Sequence, residues 1–181
     1  MSVAEALVKE TRGLGGIACR LQVAPDLATL LSILTHVCQP RFAVDVGTFT
    51  GLSSLAIAEA LPEGGRLLCC DPSEQYTAIA RRYWHMAGVS DWVELVVAPA
   101  EETLAHLDEQ VDLAFIDILH PQVVYDLLLP RLAAHGLIAV DNMTHESRGF
   151  VDYVKADEAV ESVLLTLGGG LLLIRKRREV E

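Results

Sequence analysis

Four aspartates stand where apolar runs of this chain end. Asp45 lies in Phe42-Ala43-Val44-Asp45-Val46, Asp71 follows Leu68-Cys69-Cys70, Asp117 follows Phe115-Ile116, and Asp141, with Asn142, follows Ala139-Val140. Carboxylates gathered at one place repel anions and attract cations, so the chemistry open to them is binding of a cationic ligand, a metal ion or both. The run Gly47-Thr48-Phe49-Thr50-Gly51 follows the first aspartate. Its glycines serve either the tight turn or a close approach of backbone to ligand, since both need a residue without a side chain. Any one aspartate at a strand end is ordinarily a cap or turn residue. The inference rests on four of them predicted at one edge.

The elements that must hold them there alternate. Phe42–Val46, Arg66–Cys70, Val93–Val97, Val111–Ile116 and Leu137–Val140 read as strands. Leu52–Leu61, Ser73–Ala87, Glu101–Leu107 and Val123–Ala134 read as helices between them, with Gly88 and Gly136 as stops and Ser73 as an N-cap. This alternation predicts an α/β fold, a doubly wound, mostly parallel sheet covered on both faces. Val163–Leu167 and Leu171–Ile174 are separated only by Gly168-Gly169-Gly170, which permits a hairpin but no crossover, so the sheet should end antiparallel. Asp26–Cys38 reads as an amphipathic helix ahead of the first strand, and Met143–Ala159 as the least patterned stretch, a mobile loop. At 181 residues the expectation is one domain, with residues 1–40 an N-terminal helical segment and 41–181 the Rossmann-like core.

Composition narrows the partners. The formal charge is −11 and 51% of residues are apolar, so a sizeable core is available and sequence-independent nucleic-acid binding is disfavoured. The one basic run, Arg175-Lys176-Arg177-Arg178, reads as a solvated tail. The longest uncharged apolar stretch, Ser162–Ile174, has 13 residues including three glycines, too short to span a membrane, and Met1–Glu10 lacks the apolar segment of a signal peptide. The four cysteines have no C-x-x-C spacing, which suits a reduced, cytoplasmic protein with structural thiols.

In an open parallel sheet, ligands bind beyond the carboxyl ends of the strands, where these aspartates are predicted. A dinucleotide would bring a pyrophosphate against them, and G-x-G-x-x-G is absent, because the glycine after Gly51 is Gly64. S-adenosylmethionine (SAM) instead carries a sulfonium, an ammonium and ribose hydroxyls. Asp71 lies 24 residues beyond Gly47, close to where a ribose-binding acid is expected.

The run Val44-Asp45-Val46-Gly47-Thr48-Phe49-Thr50-Gly51-Leu52-Ser53 resembles the first motif of the cation-dependent, SAM-dependent O-methyltransferases of the caffeoyl-CoA and catechol type. Phe115-Ile116-Asp117 and Val140-Asp141-Asn142 resemble that family's metal-binding segments, Glu161–Leu165 with Gly170-Leu171 its closing hairpin, and Gln22-Val23-Ala24-Pro25 the segment covering its cofactor. The resemblance runs from about Glu10 to Arg177. It implies strand order 3-2-1-4-5-7-6 and methyl transfer from SAM to a hydroxyl of a small catechol-like acceptor, assisted by a divalent cation, with Mg²⁺ best matched. It also implies that Asp45, Gly47 and Ser53 hold the methionine end of SAM, with Thr48, Phe49 and Gly51 completing the loop. Asp71 would bind the ribose, Ala100 would contact adenine, and Asp117, Asp141 and Asn142 would bind the metal, with Asp117 near metal and cofactor alike. Members often form homodimers.

The chain departs from the family where Leu119 and His120 replace an aspartate and a catalytic lysine, and where the segments before Gln22 and after Met143 are short. His120 is thus either the base or a loop residue before Pro121. His36, His85 and His106 read as surface or structural residues, His135 as a helix C-terminal residue, His145 as a weak candidate for substrate contact, and Trp84 and Trp92 as packing residues. Two rival readings stand beside the O-methyltransferase. One is a metal-independent methyltransferase acting on another nucleophile, and the other is a SAM-binding protein without catalysis.

Overall fold

A computed structural model describes residues 1–143 and 147–177. Seven strands, β1 Phe42–Val46, β2 Arg66–Cys70, β3 Val93–Val96, β4 Val111–Ile116, β5 Leu132–Val140, β6 Val160–Leu165 and β7 Leu171–Lys176, form one sheet. Their order is β3-β2-β1-β4-β5-β7-β6. The first five pair in parallel, and β7 runs antiparallel to both β5 and β6. The expected fold class and strand order are therefore observed.

Alternate residues of the central strands enter two separate cores. Val44 and Val46 join Ala114, Ile116, Ile138 and Val140 under α5 (Ala100–Ala105), α6 (Gln122–Leu128) and α7 (Arg148–Ala156). Ala43 joins Leu67, Leu113, Phe115 and Ala139 under α1 (Val3–Gly13), α2 (Pro25–Cys38), α3 (Leu52–Ala58) and α4 (Glu74–Ala87). A strand buried on both faces must be apolar at every position, which is why β1 and β4 read as continuous apolar runs. Asp45 in β1 and Asp112 in β4 are the exceptions, and the period-2 position of Asp45 directs it to the α1–α4 face. Ser73 caps α4 by accepting from the Tyr76 N–H at 3.3 Å, and Gly88 ends it, as expected.

Several expectations fail. The helix predicted over Val123–Ala134 stops at Leu128, because Pro130 lacks an N–H and its ring excludes a continuing turn. β5 then starts at Leu132 rather than Leu137, and Gly136 is a position inside a strand with a register shift, not a helix stop. A Cβ there would come within 2.7 Å of Leu132 Cδ1. His135 accordingly lies on β5, with Nε2 3.1 Å from Asp112 Oδ1, and not at a helix C-terminus. The stretch expected to be a mobile loop contains α7, whose Phe150, Val151 and Val154 are buried on one face while its other residues stay polar. Trp84 is buried and donates to Ser54 Oγ at 3.1 Å, whereas Trp92 is 44% exposed and does not pack as expected. Among the described residues no helix is long and apolar enough to cross a membrane.

Candidate active site

Strand register assembles the site. Val46 pairs with Cys70 on one side and Ile116 on the other, and Ile116 pairs with Val140. The ladder continues one residue further. Gly47 N–H donates to Cys70 O at 2.9 Å, Asp117 N–H to Val46 O at 2.8 Å, and Asp141 N–H to Ile116 O at 2.9 Å. Asp71, Gly47, Asp117 and Asp141 therefore stand in one row across the carboxyl edge of β2, β1, β4 and β5. Gly47 has φ +86°, and a Cβ on it would overlap the Asp117 carbonyl oxygen and come within 3.2 Å of Ile118 Cγ2. The glycine is required by the neighbouring backbone. The sequence alone had offered the tight turn or the close approach of a ligand, not this contact with a neighbouring strand end.

Asp45 sits one step inside this row and is fully buried. Its Oδ2 accepts from Thr48 Oγ1 at 2.8 Å, while its Oδ1 has no hydrogen-bond partner. Ser53, in the first turn of α3, is buried nearby. Asp71 uses both oxygens on the backbone, accepting from Phe49 N–H and Ser73 N–H at 2.8 Å each. It thus performs the turn role expected of a lone aspartate, and each oxygen retains a free lone pair for a ligand hydroxyl. Phe49 is held at φ +51° with its ring 4.6 Å from that of Tyr76, a contact that no motif in the sequence signals. Gly51, at φ +93°, lets α4 approach, since a Cβ there would come within 2.6 Å of Ala80 Cβ.

Asp117 and Asp141 form the other half of the site. Asn142, at φ +62°, donates from Nδ2 to Asp117 Oδ1 at 2.8 Å, and Asp141 Oδ1 is buried without a partner among the described residues. The hairpin turn backs Asn142, because a Cβ on Gly169 would come within 2.5 Å of Asn142 Oδ1. Two carboxylates and an amide are hard oxygen donors of the kind a divalent cation takes, and the orphaned Asp141 oxygen fits such an ion. Among the described residues no group of three or more His, Cys, Asp or Glu side chains could hold a metal, so Asn142 would be a necessary ligand. Its amide would have to turn its oxygen to where the nitrogen now stands.

Burial raises all three deep carboxyls. Asp117 is pushed up to about 7 by burial first, then by the charges of Asp141 and Asp45, against the pull of the Asn142 amide. Asp45 is pushed up to about 6 by burial, with the Thr48 and Ser53 hydroxyls opposing. Asp141 is raised by burial, against the Asn142 backbone. A carboxyl whose folded pKa lies above its unfolded value binds protons more tightly when folded. Stability then falls as pH rises from the unfolded value, near 3.9, through the folded one. The metal-free protein should therefore melt several degrees higher near pH 5 than near pH 8. Asp117→Asn should flatten that slope, measured by calorimetry at both pH values. An unchanged slope in the variant would show that Asp117 is not held in its acid form.

The remaining expected residues are less engaged. Ala100 is buried at the start of α5, behind Pro99. His120 is exposed beside Leu119, itself 91% exposed, and makes no hydrogen bond among the described residues. His145 lies outside the described residues. Thr11, Gln22 and Thr50 hydrogen-bond to one another beside the loop after β1, a contact not expected from spacing, because they meet from segments far apart in the chain.

Residues 2–152 match a family model described as O-methyltransferase. A probable caffeoyl-CoA O-methyltransferase 2 of Dictyostelium discoideum is 32% identical over 174 residues, covering 83% of this chain and 75% of that protein. A catechol O-methyltransferase of Niastella koreensis is 29% identical over 134 residues, covering 71% of this chain and 61% of that protein. The crystal structure of the O-methyltransferase TomG from Streptomyces achromogenes in complex with SAM superposes with a TM-score of 0.87 at 24% identity, over 97% of this chain and 90% of that one.

Proposed function

The chain belongs to the O-methyltransferase family, and from that premise we propose that it transfers the methyl group of SAM to a hydroxyl oxygen of a small catechol-like acceptor, with Mg²⁺ assisting. The observation that carries this reading is the row Asp71, Gly47, Asp117, Asp141, with buried, unpartnered oxygens on Asp45 and Asp141. An orphaned buried oxygen costs about 1–3 kcal/mol, which a cationic ligand offsets. The names of the Dictyostelium and Niastella relatives supply the acceptor class, and the SAM-bound TomG structure the cofactor.

In this reading Asp45 Oδ1 accepts from the ammonium of SAM, with Ser53 beside it. Asp71 accepts from the ribose hydroxyls, and the loop from Gly47 to Gly51 lies against the methionine end. Ala100 meets the adenine through its backbone. Asp117, Asp141 and Asn142 hold the cation, which when bound lowers the pKa of an acceptor hydroxyl. The acceptor oxygen forms its bond to the methyl carbon as the carbon–sulfur bond breaks, the hydroxyl proton passes to solvent water, and S-adenosylhomocysteine remains. The protein's main contribution is orientation, which in favourable cases lowers a barrier by about 7–11 kcal/mol. The reading extends to a homodimer in the cytoplasm, where the free thiols of Cys69 and Cys70 stay reduced.

One observation favours a second reading, without the metal. Asn142 already compensates Asp117, and a carboxyl pushed up to about 7 suits proton abstraction at neutral pH. Asp117 then takes the acceptor's proton directly. Turnover measured with SAM and a catechol, with Mg²⁺ and then with excess EDTA, separates the two. Loss of turnover in EDTA supports the metal-assisted reading, and unchanged turnover supports Asp117 as the base.

His120 is the candidate base of the sequence, but among the described residues its exposed side chain has no partner to orient it. His120→Ala should therefore lower kcat less than about tenfold, against the 10²–10⁴-fold usual for loss of a general base. A loss in that larger range, with a pH profile that shifts in the variant, would install His120 as the base.

A further inference from the structure

The loop after β1 is strained and externally tied. Gly47, Phe49 and Gly51 all have positive φ, at +86°, +51° and +93°. The glycines adopt such angles freely, but Phe49, a non-glycine in the left-handed region, persists there only when its surroundings over-determine it. The three residues between the glycines are each tied by side chains from a different part of the fold. Thr48 Oγ1 bonds to Asp45 on β1, and Phe49 N–H bonds to Asp71 beyond β2. Thr50, fully buried, is tied to the N-terminal segment. Its Oγ1 accepts from Thr11 Oγ1 of α1 at 2.9 Å and from Gln22 Nε2 at 3.4 Å, and Gln22 Nε2 also donates to Thr11 Oγ1 at 2.9 Å. Thr11 is fully buried too. A buried hydroxyl pair with an amide across it has few alternative partners, so the arrangement is all-or-none.

We propose that Thr11 and Gln22 are positioning residues for SAM, acting through Thr50 to hold the loop from Gly47 to Gly51 in its ligand-ready shape. The inference rests on the reading of that loop as the SAM site. The first two ties come from the sheet itself, whereas this third one comes from the N-terminal helix and the segment after it. Binding that firms the loop must by reciprocity firm α1 and the segment around Gln22.

Thr11→Val keeps the shape and removes the hydroxyl, and Thr11→Ser keeps the hydroxyl. Titration calorimetry with SAM should show affinity for Thr11→Val about 5–10-fold weaker than wild type, the loss expected for one hydrogen bond with its partner left buried. Thr11→Ser should restore affinity to within about twofold. In turnover the Thr11→Val deficit should appear in KM for SAM, with kcat at saturation close to wild type. A purely structural role would lower Tm and leave SAM affinity alone. Should Thr11→Val fail to fold, Gln22→Met cuts the same network from its half-buried end and is read the same way. Wild-type affinity in Thr11→Val, or equal weakening in Thr11→Val and Thr11→Ser, would overturn the positioning role while the SAM reading stands. No SAM binding by the wild-type protein would remove the reading of the loop and the proposal with it.

Discussion

Gly47→Ala should abolish SAM binding, with affinity falling more than about 100-fold. Two independent penalties act at this position. The residue has φ +86°, which an L side chain rarely adopts, and the new Cβ would overlap the Asp117 carbonyl oxygen. The carbonyl has little freedom to retreat, because the Asp117 N–H is bonded to Val46 O at 2.8 Å in the adjoining ladder. The loop must give way instead, taking Thr48 off Asp45 and Phe49 off Asp71. Titration of SAM into a folded Gly47→Ala protein is the check. Retained affinity would show that the loop does not form the cofactor site. The strain should also lower Tm, since such a conformation costs of order 1–3 kcal/mol.

Asp141→Ala should remove Mg²⁺-dependent turnover by about 10²–10³-fold, the scale seen when a preorganised charge-stabilising group is lost. SAM affinity should stay within a few-fold, because Asp45 and Asp71, which face the cofactor in this account, sit on other strands. Stability should move the opposite way from activity. Asp141 is buried with an unpartnered oxygen and raised by burial, so the metal-free protein loses nothing favourable near pH 8 when the carboxyl is removed. A Tm unchanged or higher, with activity gone, identifies a residue kept for its ligand. Full turnover in Asp141→Ala would move the chemistry to Asp117 alone.

The strands of the core and the aspartates beyond them could be seen in the sequence because burial on both faces demands unbroken apolar runs, and a charge ending such a run stands out. Chain order likewise displayed the closing hairpin, since Gly168-Gly169-Gly170 leaves room for nothing else. Register could not be seen. That Gly47 stands between Asp71 and Asp117 depends on how three strands align, and so the glycine's true neighbour, the Asp117 carbonyl, stayed hidden. β5 was misjudged because Leu132 to Val140 mixes apolar and small residues across a register shift, and because the helix was carried through Pro130, which in fact ends it. α7 was hidden because it is short and shows its period through only three buried residues. The Thr11–Thr50 contact spans 39 residues and joins two polar side chains that no periodicity links.

The most direct test of O-methyl transfer supplies the protein with SAM carrying a deuterium-labelled methyl group, a simple catechol and Mg²⁺, and follows the products by mass spectrometry. The account predicts a monomethylated catechol that carries the label on oxygen, with S-adenosylhomocysteine formed in equal amount, and neither product from Gly47→Ala. SAM bound by calorimetry but left intact with catechol and with caffeoyl-CoA would contradict it and leave a SAM-binding protein without this catalysis.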